Sequence, residues 1–341
     1  MMEQGNAGVG IGDKSLSVTR SSFGSRYLTV VLAVLVFAIS VPWWADSATT
    51  HLLVEIFSLV AVAQMWNMLS SFGGVVSIGQ QAFVGIGAYA FFYVANQGAW
   101  NPFLYLPVAG ICAGAIAVVF APLLFRLKGA HFSIATWAFA EMFRIGINSS
   151  DSLGAGAGLS FDRITELDRW ARGAATYWLG LAVVCASLLT LVALLRSSYG
   201  VALRAIKTNE GAAESLGVPV AILKRAIFVL SAIVTGLAGG VAYLNALQVS
   251  PNAAFSVSWV AFAIFAVVIG GAGTVEGPIV GVLIFFALRE TLSNYGAWYL
   301  ILLGVAAICV TLFVPAGLFG WFKAKTGKGL FDLSFKVTHR Q

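Results

Sequence analysis

Charge is what this sequence has least of. Its 341 residues include 20 Lys and Arg and 14 Asp and Glu, 10% in all, where soluble domains carry about 25%. Hydrophobic residues make up 59%, and the mean hydropathy is +0.90. That balance excludes a soluble globular protein. Cysteine is scarce: Cys112, Cys185 and Cys309 lie far apart within apolar runs, without metal-type spacing, as membrane-buried thiols would. His51, His131 and His339 are equally scattered, so the residues for a metal, redox or His/Asp/Cys catalytic centre are not assembled. The apolar runs contain neither Asp nor Lys and few carboxylates, which argues against a self-sufficient channel or ion-coupled transporter built on a proton or sodium relay. A Walker A loop is also missing; Gly327-Lys328-Gly329 lacks the upstream glycine and the Ser or Thr. If ATP drives this protein, another chain binds the nucleotide. The net charge of +6 needs no nucleic acid, because the basic residues gather in loops and tails, as anionic lipid and the positive-inside rule require.

What is present is a series of apolar runs. Residues 1–26, polar and rich in Ser and Gly, read as a disordered cytoplasmic tail. Tyr27–Trp44 is a first run with an interfacial Pro42-Trp43-Trp44 end; its length and polar lead-in favour a retained anchor over a signal peptide. A second spans about Leu52–Leu69 and is interrupted by Glu55, Gln64 and Asn67. Later runs are expected at Pro102–Phe125, His131–Ile147, Tyr177–Leu195, Ile227–Leu247, Trp259–Ile269, Ile279–Leu292 and Trp298–Val314. The expected fold is all-α and polytopic, with about ten membrane-embedded helices over residues 27–321, some broken or re-entrant, and possible inverted repeats. Residues 148–173 should face outward, and 322–341 form a second cytoplasmic tail. Within the outer segment, Ile164, Leu167 and Trp170 share one face of an amphipathic stretch suited to the membrane surface. Glu141 and Arg144, one turn apart, read first as a structural ion pair and second as a path-lining pair.

Two apolar runs are interrupted by small and polar residues. Residues 71–90, SFGGVVSIGQQAFVGIGAYA, combine five glycines with Ser77, Gln80 and Gln81. Each glycine costs about 1 kcal/mol against Ala inside a helix. Either the small residues let helices pack closely, or the helix is broken and its freed backbone lines a water-filled path. Gly270 to Pro278, GGAGTVEGP, is a comparable interruption in the other half of the chain, and paired interruptions point to a path at the membrane midplane.

The third feature is a basic island, Arg196–Arg225, between two apolar runs. Asn209 can cap a short helix with Glu210 in its first turn, Gly217 suits its C-terminal turn, and Pro219 stops it. Ala212 and Ala213 leave a face flat enough for a partner to approach. The plain reading is a topogenic loop that happens to be helical; the sharper one is a docking helix for a cytoplasmic motor.

The pattern Glu210-x-Ala212-Ala213-x-x-x-Gly217 resembles the coupling loop of bacterial ABC importer permeases, and its surroundings resemble the permease family for branched-chain amino acids, the Liv type. Gly74, Ser77, Gly79, Ala82, Phe83, Gly85, Gly87, Ala88 and Tyr89 match a similar family signature, although many relatives carry His in place of Gln80. Gly270, Gly271, Gly273, Thr274, Gly277, Pro278 and Gly281 match a second, and the Gly-rich hinge at 152–159 sits where relatives have a similar turn. The resemblance covers about residues 50–320. It implies a multi-pass inner-membrane subunit with both termini cytoplasmic and no cofactor of its own. ATP and Mg would sit on partner ATPase subunits, a second Liv-type permease would complete the path, and a periplasmic binding protein would supply affinity. It further implies a coupling role for Arg204, Lys207, Asn209, Glu210, Ala212, Ala213 and Gly217. Ser77, Gly79, Gln80, Gln81, Gly85, Gly273, Thr274 and Glu276 would line the path. Urea, short amides or aromatic acids are alternative cargoes within the family.

Overall fold

A computed structural model describes residues 16–20, 25–161, 168–292, 298–314, 316–326 and 335–339. The rest of the two expected tails, and residues 162–167 of the expected interfacial helix, lie outside the described residues. The fold is all-α. In chain order the helices are α1 (Ser25–Ser40), α2 (Ser47–Asn67), α3 (Gln80–Gln97), α4 (Leu106–Leu124), α5 (Ala130–Asn148), α6 (Arg169–Arg196), α7 (Ser198–Thr208), α8 (Glu210–Ser215) and α9 (Val220–Ala246). They continue with α10 (Pro251–Ala254), α11 (Ser258–Gly270), α12 (Gly277–Leu292), α13 (Trp298–Phe313) and α14 (Gly317–Thr326). Ten of these have thirteen residues or more (α1–α6, α9 and α11–α13). Among the described residues, six segments are long and apolar enough to cross a membrane: Ser47–Phe72, Pro102–Leu124, Arg169–Arg196, Val220–Ala246, Pro251–Gly270 and Gly304–Lys323. The chain is a multi-pass membrane protein. Its strands are short: Leu16–Arg20 pairs antiparallel with Phe335–His339, and Leu159–Ser160 with Gln248–Val249.

Helix boundaries follow local chemistry. Asp46 caps α2 by accepting from the Thr49 N–H, Asn101 caps the turn before α4, and Asp168 caps α6 by accepting from Trp170 and Ala171. Gly129, at φ +57°, turns the chain between α4 and α5.

Burial separates the bundle into a centre and a jacket. α2 and α9 are buried along most of their length, while α4 and α6 bury one face and expose Ile111, Val118, Val119 and Leu189 on the other. α3 packs so closely on α9 that backbone meets backbone. A Cβ on Gly87 would lie 2.2 Å from the Gly236 carbonyl oxygen, and one on Gly239 would lie 2.2 Å from that of Val84. Small residues give this contact, which lipid-like surroundings cannot drive by hydrophobicity alone. Phe83, Phe125, Phe132, Phe139 and Phe228 fill the space beside it with tilted and edge-on ring pairs. Glu141 and Arg144 are bonded, and Arg144 Nη1 also reaches Asn252 Oδ1 at 2.7 Å. The pair therefore ties α5 to α10, as expected of a structural pair.

Candidate functional site: two helix breaks and a capped loop helix

Both expected interruptions are breaks in helix, and α2 holds both. At its end the chain widens into a π-helical turn, Met68–Phe72. The Gly73 N–H bonds back to Met68 O at 3.0 Å, and Val75 N–H to Leu69 O at 2.9 Å. Gly74 takes φ +66°, and residues 74–79 run without helix until α3 starts. Three of the freed backbone groups are caught by side chains, the Ser77 carbonyl among them at a buried position. Trp66 Nε1 donates to Ser77 O (2.8 Å), Ser133 Oγ to Val76 O (2.6 Å), and Ile78 N–H to Thr136 Oγ1 (3.1 Å). Gly79 rests on α5; its Cβ would stand 2.3 Å from Thr136 O.

The second break, residues 271–276, separates α11 from α12. Gly271 and Gly273 take φ +130° and +79°, backbone that side-chain-bearing residues rarely adopt. Thr274 Oγ1 closes the turn by donating to Gly271 O and accepting from Gly277 N–H, at 2.8 and 2.9 Å. α2 then clasps the loop from outside it. Gln64 Nε2 donates to Val275 O (2.6 Å), Asn67 Nδ2 to Thr274 O (2.8 Å), and Gly273 N–H donates to Asn67 Oδ1 (3.0 Å). One turn of α2, from Gln64 to Asn67, therefore fixes two breaks that lie about 200 residues apart in the chain. Gln64 and Asn67 were visible in the sequence only as polar interruptions of an apolar run, and no role was read from them.

The path residues named from sequence divide. Ser77, Gly79, Gly273, Thr274 and Glu276 belong to the breaks or their edges. Gln80 is absorbed by packing: its Nε2 donates to Ser231 Oγ, and its Oε1 accepts from Thr235 Oγ1, both on α9. Gly85 makes room for the Phe255 ring. Gln81 is fully buried, with neither amide atom in a protein hydrogen bond among the described residues. So is the Oε1 of Gln64. Buried amides left open in this way favour water or a polar ligand beside the breaks.

The basic island forms α7 and α8. Leu203 and Ile206 seat α7 on the bundle. Asn209 caps α8 by accepting from Ala212 N–H at 3.0 Å. The far end closes in a Schellman motif, with Val218 N–H on Ala213 O, Gly217 N–H on Glu214 O, and Gly217 at φ +84°. Lys224 Nζ binds Glu210 Oε2 at 2.8 Å. Lys207 is exposed, and Arg204 lies on α7. The expected flat face is divided: Ala212 is exposed, but Ala213 is only 2% exposed and packs within the chain. Leu216 completes the outward side at 82% exposure. A cavity of about 490 Å³ lies between Glu210, Glu214 and Lys224 on one side and Gly74–Val76 of the first break on the other. The loop helix and the break thus share one space.

The model of the family described as "Branched-chain amino acid transport system / permease component" matches residues 48–311. The chain is 25% identical over 314 residues to the high-affinity branched-chain amino acid transport system permease protein LivM of Escherichia coli K12, covering 84% of this chain and 74% of that one. The Salmonella typhimurium LivM matches at the same identity and coverage. A probable branched-chain amino acid transport permease protein LivM of Methanocaldococcus jannaschii is 23% identical over 261 residues, 70% of this chain and 76% of its own. No solved structure matches. With the family model spanning both breaks and the capped loop helix, the chain belongs to the permease components of branched-chain amino acid transport systems.

Proposed function

We propose that this chain is one of two membrane-spanning subunits of an ABC importer for branched-chain amino acids, driven by separate ATPase subunits that carry ATP and Mg. The observation that carries this reading is α8. A six-residue helix outside the bundle is marginal alone, yet this one is capped at both ends and presents Gly211, Ala212, Ser215 and Leu216 outward. Topology needs none of that, whereas a helix that docks in a partner's cleft needs all of it. Arg196, Arg204, Lys207, Lys224 and Arg225 support a cytoplasmic side for the loop under the positive-inside rule. If the ten longer helices alternate across the membrane, residues 148–161 face the periplasm, where a soluble binding protein would deliver cargo, and both ends of the chain face the cytoplasm of a bacterial inner-membrane protein. Motion of α8 would reach the first break through the cavity they share, and the second break through α2.

The test is Ala212→Trp. Its side chain points away from the chain's own packing, so the bundle should fold and insert as before. Co-purifying ATPase and leucine uptake should both fall to background. Wild-type levels of each would refute the docking role.

A further inference from the structure

We propose that the chain itself carries a binding site for a zwitterionic amino acid with an apolar side chain, at the end of the bundle opposite α8; the inference of cargo class rests on the importer reading above. A cavity of about 390 Å³ opens between α2, α9, α11 and α12, within the roughly 300–1,000 Å³ of small-molecule pockets. Its wall is aromatic: Tyr243, Trp259, Phe262, Phe285 and Phe286 line it. Trp259 Nε1 donates to Tyr243 OH at 3.3 Å, and Phe262 and Phe285 form a tilted pair with ring centroids 4.6 Å apart, so the wall is braced. At its rim stand the two charges Glu55 and Arg289, 3.0 Å apart and each 44% exposed at the side chain. The guanidinium carbon lies 5.1 Å from the Phe286 ring centroid, over its face.

Both charges sit on apolar helices. Glu55 is the ninth residue of α2, about 12 Å from its start, and Arg289 is in the last turn of α12. Charged side chains on membrane-spanning helices are costly and mark substrate routes. A half-exposed ion pair contributes little to stability, so a ligand that brings its own pair of charges can open it without net loss. An α-amino acid is such a ligand. Its carboxylate takes two guanidinium N–H groups of Arg289, its ammonium takes the Glu55 carboxylate, and its side chain enters the aromatic wall. A ligand with one charge leaves either Glu55 or Arg289 without a partner.

The full chain, purified with its paired permease and ATPase subunits in lipid nanodiscs and without a soluble binding protein, is titrated with radiolabelled L-leucine. Saturable binding is expected. Arg289→Gln and Glu55→Gln should each weaken it about ten- to a hundredfold, the range for loss of a hydrogen bond to a charged group. Ligand analogues separate this from a structural role. Leucinamide lacks the carboxylate, so Arg289→Gln should not weaken it further; N-acetyl-leucine lacks the ammonium, so Glu55→Gln should not weaken it. If either single variant misfolds, the exchanged pair Glu55→Arg with Arg289→Glu keeps the tie between α2 and α12. It should narrow the preference for L- over D-leucine. Wild-type leucine affinity in both Gln variants, or an unchanged L preference in the exchanged pair, overturns the proposal, as does a site filled only by a lipid tail and insensitive to leucine. Leucine uptake by cells is measured alongside. Uptake with no binding here removes this site and leaves the importer reading, whereas no uptake of any branched-chain amino acid by wild type removes the importer reading.

Discussion

The clasp on the second break invites a paired substitution in which volume stays nearly constant and only polar groups change. Asn67→Leu removes two hydrogen bonds, to Thr274 O and from Gly273 N–H, each contributing about 1 kcal/mol net. It also strands both backbone groups. Gly273 and Thr274 are only partly buried, so water recovers some of that cost, and the total should be about 2–3 kcal/mol. Gln64→Leu loses one bond, to the buried Val275 O, but it also deletes a buried amide oxygen that has no protein partner among the described residues. Those two effects are each about 1–3 kcal/mol and of opposite sign, so the net should lie within about 1 kcal/mol of wild type. Thermal unfolding of both variants in one detergent, beside an exposed control such as Ser149→Ala, reads the order directly. Uptake should follow it, because Asn67 holds the loop that turns α11 into α12. Equal melting of Asn67→Leu and wild type, or a larger loss in Gln64→Leu than in Asn67→Leu, would refute the clasp.

Gly79→Ala places a methyl 2.3 Å from the Thr136 carbonyl oxygen, so α5 must shift; a loss of about 1–3 kcal/mol and of most uptake is expected, and an unchanged melting temperature would refute the contact. Ala213→Trp should disorder the loop itself, since Ala213 is buried within the chain. Limited proteolysis should cut near Leu216 in that variant and not in Ala212→Trp. In a background with Cys112, Cys185 and Cys309 replaced, an impermeant thiol reagent added from outside should label Gly156→Cys and not Glu210→Cys; the reverse pattern inverts the topology.

Much of this was legible in local sequence, and the reasons are local. Asn209, Gly217 and Pro219 act within a few residues of themselves, so α8 and both its ends could be read from spacing. The two Gly-rich interruptions could be read as poor helix because glycine there costs free energy wherever the helix sits, but glycine content left a break and a close packing contact equally open, and the family resemblance favoured the break. The partners of those breaks could not. Asn67 and Thr274 are 207 residues apart, Gln64 and Val275 211, and Glu55 and Arg289 234, and no periodicity encodes such a meeting. Ala213 failed as a free surface for a related reason. Periodicity gives the faces of α8 but not which of them its own chain covers. Gln80 was a polar residue in the right stretch that proved to bond α9, because polar groups in an apolar bundle join neighbouring helices as readily as they line a path.

The π-helical turn at Met68–Phe72 also makes local chain length a geometric quantity. A π turn is an α-helix holding one residue more than its hydrogen-bond ladder needs. Deleting a single residue there would let the ladder close as an ordinary α-helical turn and leave the segment that runs to Ser77 one residue shorter. Ser77 would then leave the Trp66 indole while Gln64 and Asn67 kept the other break. Insertions and deletions, well tolerated in the outer loops, should be excluded from these five positions more strictly than any substitution of their side chains.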